Sequence, residues 1–323
     1  MIRQTLARCA TAPTPMAGLA LGIGSLGWCW ENTSLFHATS LQGQAQAVGA
    51  AIASVLLLIL TTKFILNPKH LSDDLAHPVV GSVVPTFAMA TMVVSKAVGG
   101  TAGSALWIFA VGLHLLFLIT FVWHRSRQFE LQHMLPSWFV PPVGIIVAAV
   151  ANPGGILTPV AQGLFWFGLI SYGLMLPVML YRLIFAEEVP DAAKPTIAIL
   201  AAPASLSLAG YLTVIAAPSP LLVDLLLGVA VLMTMVIYLA FIKLLRLPFS
   251  PGYAAFTFPM VIGATALYKA ADMFTQWGVT GHAVGQLQLL AELELLVATL
   301  LVGYVALRYL LFFNPLRRAK LAL

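Results

Sequence analysis

Lys69, His70, Asp73, Asp74 and His77 crowd one short segment, and several of them are of the kinds that ligate metals. A polar loop at a membrane surface carries the same side chains in contact with water, and Ser72 stands where it can cap a helix, so the segment reads as a loop. His114 is the only histidine well inside an apolar run, which excludes a pair of intramembrane axial haem ligands. Glu292 and Glu294 are two apart, roughly 200° around a helix, and cannot face one site together. With Asp224 they are expected at an interface or paired between helices. The two cysteines, Cys9 and Cys29, are too few for a disulfide framework or a thiolate metal site. The expectation is a protein without metal or cofactor, and not an enzyme.

The elements that would position any site are those of a membrane protein. Of 323 residues, 60% are hydrophobic and 8% charged, and 27 charged side chains cannot cover the surface of soluble domains of this total size. Ten apolar stretches satisfy the length of a transmembrane helix: 13 to 30, 45 to 66, 79 to 97, 104 to 123, 138 to 152, 158 to 184, 197 to 216, 219 to 242, 253 to 271 and 285 to 312. The fifth is short. With ten spans, all but two of the 16 basic residues fall on one side, the exceptions being Lys96 and Lys269. Positive residues stay in the cytoplasm, so both termini are cytoplasmic and the span count is even. The net charge of +5 is therefore topology rather than a nucleic-acid surface. Trp28, Trp30 and Glu31 after the first apolar stretch form an interfacial pattern and not a cleavage site.

An internal period organises these spans. Pro85, Pro141, Pro203 and Pro259 recur at intervals of 56, 62 and 56 residues, one in each odd span from the third to the ninth, with Pro142 beside Pro141. A two-span period makes parallel hairpins related by an axis along the membrane normal, and five of them enclose a centre. Proline bends a helix and frees a carbonyl, which a wet cavity tolerates. The odd spans also hold many of the small and hydroxyl residues, so Gly18, Gly22, Ser25, Thr86, Thr91, Gly144, Ser205, Ser207, Thr257 and Thr265 are expected to line a pore. No ionisable residue stands at mid-depth in any odd span, as suits a passive path more than a coupled transporter. Lys96 and Lys269, near the outer ends of odd spans, would raise the local anion concentration.

Three segments carry a resemblance: Ala255-Phe256-Thr257-Phe258-Pro259-Met260, Leu200-Ala201-Ala202-Pro203 and Pro136-Ser137-Trp138-Phe139-Val140-Pro141. With the ten-span layout, they resemble the tellurite-resistance/dicarboxylate transporter family, which joins TehA of bacteria, the slow anion channel of plant guard cells, and yeast-type dicarboxylate and sulfite transporters. The resemblance covers nearly the whole chain as one ten-helix domain, 1–323. It implies an all-α fold of five hairpins in pseudo-five-fold arrangement around a central pore, with odd helices inside. It also implies a homotrimer with one pore per protomer, in the bacterial inner membrane. Phe258 matches the aromatic side chain that closes the pore in the ninth helix of relatives, and a ring beside a bend can dewet a narrow passage. Relatives pass monovalent anions, so chloride and nitrate are the expected ions. The rival expectation is a proton-coupled or facilitative transporter of C4-dicarboxylate, sulfite or tellurite-type oxyanions.

Overall fold

The structure, a computed structural model, describes residues 9–37, 39–279 and 281–313. Arg3, Arg8, Arg317, Arg318 and Lys320, which bear on the expected orientation, lie outside the described residues. Among those described, all regular structure is helical. Eight helical rods are long and apolar enough to cross a membrane, and two shorter apolar ones stand among them. In chain order the rods are α1 Met16–Trp30, α2 Gln44–Leu66, α3 Val80–Val98, α4 Gly100–Arg127, α5 Pro136–Val150, α6 Gly155–Phe185, α7 Lys194–Val214, α8 Pro220–Leu244, α9 Pro251–Gln276 and α10 His282–Phe312. The short rods, α1 and α5, answer to the first and fifth expected spans.

The odd rods are irregular where they begin, and the prolines account for it. A 3₁₀ turn run, Lys194–Ala201, leads into the α-helical part of α7, with Pro203 in its first turn. Pro251–Phe256 leads in the same way into the α-helix of α9, where Pro259 is the second residue. At these positions the missing N–H is one that no helical carbonyl needs, so proline starts the α segment without breaking it. In α3 the chain turns at Val84 and Pro85, and α5 alternates between 3₁₀ and α throughout, with Pro141 and Pro142 in one α turn.

Each even rod packs against the odd rod before it, and the odd rods touch one another in a closed cycle, α1 to α3, α5, α7, α9 and back to α1. Burial follows this order. In α3, α7 and α9 between 72% and 83% of the apolar stretch is buried, against 22% to 39% in the five even rods. The even rods turn Leu, Ile, Val and Phe outward, as helices facing lipid do. Hydroxyl pairs and carbonyls stitch the ring: Ser82 Oγ donates to Ser137 Oγ at 2.7 Å between α3 and α5, and Trp138 Nε1 donates to the Pro78 carbonyl at 3.2 Å. Behind them His114 of α4 places Nε2 2.8 Å from the carbonyl of Pro141, an acceptor left over by the irregular start of α5.

The hairpin turns need left-handed backbone. Gly99 and Gly100 between α3 and α4 have φ of 65° and 57°, and Gly154 and Gly155 between α5 and α6 have 95° and 57°. These tandem pairs occupy equivalent places in the repeat, where a Cβ would be strained. At the other end of the bundle Arg182 of α6, 1% exposed, donates to the Glu187 carbonyl at 2.7 Å and to the Gln132 carbonyl at 3.0 Å, pinning two loops. Arg182→Leu leaves both carbonyls without their donor. We expect a loss of about 3 kcal/mol, read as a lower thermal unfolding midpoint of the purified protein in detergent.

Candidate functional site

At the end of the bundle where the odd rods begin, they enclose a cavity of about 270 Å³. Every residue lining it belongs to an odd rod or to the chain leading into one. The lining runs at three-residue intervals in four of the five: Pro15, Gly18 and Leu21; Val80, Val83, Thr86 and Met89; Thr196, Ile199 and Ala202; Gly252, Ala255 and Phe258. In α5, Val140 and Val143 share the interval. An α-helix brings a residue back to the same face after 3.6 positions, a 3₁₀ helix after three. In α5, α7 and α9 the 3₁₀ beginnings therefore set which side chains face inward. Pro203 and Pro259 line the cavity, whereas Pro85 and Pro141 are buried in its wall. Among the described residues no ionisable side chain lines it; the polar lining is Thr86, Thr196 and Ser250.

Toward the other end lies a smaller cavity, about 60 Å³, lined by odd rods and by Asn32, two residues beyond the end of α1: Ser25, Trp28, Cys29, Asn32, Val93, Val147, Val150, Leu206, Phe258, Ile262, Thr265 and Lys269. Phe258 and Leu206 line both cavities, so they stand where the two approach each other. The Phe258 ring is 8% exposed. Its backbone is held from α1, because the preceding Thr257 donates its hydroxyl to the Ala254 carbonyl at 2.7 Å and to the Gly18 carbonyl at 3.2 Å. Gly22 lies against Thr257, and a Cβ there would overlap the threonine side chain.

The expected lining residues divide accordingly. Gly18, Thr86 and Gly144 face the first cavity, and Ser25 and Thr265 the second. Gly22, Thr91, Ser207 and Thr257 face neither, and Ser205 faces a separate space behind α9. The hydroxyls of Thr91 and Ser205 donate to carbonyls four residues earlier in their own helices, at 2.8 Å and 3.1 Å. Lys269 lines the second cavity and is within electrostatic reach of Lys96 and Asp272. Lys96 donates to the Asn152 carbonyl at 3.0 Å. Leu206 escaped the sequence reading, since nothing in a leucine among leucines marks it, although its place three residues after Pro203 is the available signal. Among the described residues no group of three or more His, Cys, Asp or Glu is placed to hold a metal ion. In the segment that raised that question, Lys63 donates to Thr14 Oγ1 at 2.8 Å and pairs with Asp74 at 3.4 Å, while Thr14 donates to Asp74.

Two uncharacterized transporters of Methanocaldococcus jannaschii are similar to the chain. One is 28% identical over 250 residues, covering 68% of this chain and 72% of the relative. The other is 26% identical over 261 residues, covering 69% and 75%. The family model SLAC1, described as a voltage-dependent anion channel, matches residues 13–310. The chain is thus a multi-pass membrane protein that belongs to the SLAC1 family of anion channels and transporters.

Proposed function

We propose that the protein is a channel for small monovalent anions such as chloride and nitrate, with Phe258 as the gate of a pathway running through the two cavities. The observation that carries this reading is that one aromatic ring, with Leu206, lies against both cavities along the axis of the odd-rod ring. All ten rods then traverse the plasma membrane with both termini cytoplasmic, and three copies assemble with one pathway each. The walls are apolar and uncharged beside the larger cavity, so passage relies on width and weak fields and not on a tight binding site. A coupled oxyanion transporter needs a charged or titratable group to hold its substrate midway, and among the described residues the linings supply only Lys269 at the outer end and the buried thiol of Cys29.

The test is the reversal potential of currents through the purified protein in planar bilayers under a potassium chloride gradient. Reversal near the chloride equilibrium potential is expected. Reversal near the potassium potential, or silence even after the ring at position 258 is removed, overturns the reading. Lys269 would act here by drawing anions to the outer entrance. Lys269→Gln should lower chloride current about twofold to threefold in dilute salt and much less in concentrated salt, because mobile ions screen the attraction. Conductance measured across a salt series checks it.

A further inference from the structure

Behind α9, on the side away from the pathway, α7, α8, α9 and α10 enclose a separate cavity of about 50 Å³. Its polar lining is Ser205 from α7, Thr234 and Tyr238 from α8, and Glu294 from α10. Glu294 is 3% exposed. Tyr238 donates its phenolic O–H to Oε2, while Oε1 has no hydrogen-bond partner. That second oxygen lies against α9 at Gly263, where an added Cβ would come within 2.9 Å of it. A side chain there would push the carboxyl off this helix.

Among the described residues the surroundings hold no compensating charge. From α8 the carboxyl faces Tyr238 and Thr234, from α7 Ser205, and from α9 Gly263, Ala266 and Leu267. From α1 the buried thiol of Cys29 is near enough to feel its charge. Glu292 on the same helix is exposed. None of the ion pairs among the described residues includes Glu294. A carboxylate only accepts hydrogen bonds, whereas a carboxylic acid carries a donor of its own. The open cavity beside Oε1 has space for a water molecule, which needs roughly 10–15 Å³ by this measure, so a proton has somewhere to come from.

The wall between this group and the pathway is one helix thick. Ile262 lines the outer cavity and Gly263, the next residue, lines the cavity of Glu294; Leu206 and Ser205 divide in the same way on α7. We infer that Glu294 is a proton-binding site that tunes anion passage through the adjoining pathway. With its proton, the wall is neutral. Without it, a fixed negative charge stands about one helix width, roughly 10 Å, from the permeating anion and repels it across a poorly screened interior. Anion current therefore falls as pH rises, by a factor on the order of ten. The conduction half of this inference rests on the anion-channel reading.

The experiment measures chloride current in planar bilayers from mildly acidic to mildly alkaline buffer for the wild type, Glu294→Gln and Glu294→Asp, each also carrying Phe258→Ala to hold the path open. Infrared difference spectra of the same proteins follow the carbonyl stretch of a protonated carboxylic acid over that range. The Gln variant should stay at the acidic current level throughout and lack the band, while the Asp variant keeps both a pH response and a band. A pH profile in Glu294→Gln equal to that of the wild type overturns the inference, as does a band that survives the substitution. If none of the proteins passes anions yet the band titrates and disappears with Gln, the channel reading fails together with the conduction half, and the proton site stands.

Discussion

Replacing Phe258 by alanine should raise chloride conductance by on the order of tenfold or more, since a tenfold change requires only about 1.4 kcal/mol off the barrier. The ring is the bulkiest side chain that lines both cavities, and in an apolar constriction it excludes water as well as ions. A discriminating control stands two residues earlier. Phe256 is fully buried and packs edge-on to Phe241 at 5.3 Å and against Tyr253 at 4.7 Å, and it lines neither cavity. Phe256→Ala should lower the unfolding midpoint, with a cost of about 3–5 kcal/mol, and leave conductance unchanged. Bilayer recordings of the two variants, with size-exclusion profiles to show that both are folded, decide between a gate and a general loosening of α9. Equal increases in both would remove Phe258 from that role.

A single added methyl group should also cost much of the stability. Gly27 of α1 and Gly49 of α2 face each other, and a Cβ on Gly27 would sit 3.0 Å from the Gly49 Cα and overlap the carbonyl of Ala45. Backbone on the far side cannot rotate away as a side chain would, and lipid offers these helices no hydrophobic drive to re-dock at a wider spacing. We expect Gly27→Ala to cost about 3 kcal/mol, visible as lost folded yield and a lower unfolding midpoint in detergent. Gly228 on α8 has nothing within 4 Å of its virtual Cβ. Alanine there should be neutral or stabilising by up to about 1 kcal/mol, as in any exposed helix interior. Similar losses in both variants would show that close approach to α2 does not govern the site, since helix propensity favours alanine at both positions.

The proline period made the irregular rods legible before any coordinates, because each of Pro85, Pro141, Pro203 and Pro259 carries its conformational consequence in its own ring. The division into buried odd and exposed even rods was also legible, through where the small residues accumulate. The choice of lining residues was less so. Assigning faces from composition treats a hydroxyl as a mark of water, but Thr91 and Ser205 satisfy theirs on their own helices and need none. In α5, α7 and α9 the change from 3.6 to three residues per turn rephases the rod, and the sequence does not place that change to the residue. The Gly-Gly pairs at 99–100 and 154–155, 55 residues apart, repeat nearly in step with the prolines and mark the same period. Glu294 was expected at an interface or paired between helices; its pairing with Tyr238 across α8 and α10 could not be located, since hydroxyl donors to a carboxylate leave no charge pattern in a sequence.

The three-residue rows that face the larger cavity carry a consequence for how this protein can change by descent. In a 3₁₀ segment each residue advances the chain by about 120°, so gaining or losing three residues slides the row along its axis and keeps the same face inward. Gaining or losing one turns every side chain beyond it onto a different face and exchanges the whole stripe at once. An α-helical wall has no such safe step, because three residues fall short of a full turn by about 60° and four overshoot it by about 40°. Among relatives, insertions and deletions in the 3₁₀ beginnings of α7 and α9 should accordingly come in threes, while the α-helical even rods, bounded by lipid, carry no such arithmetic.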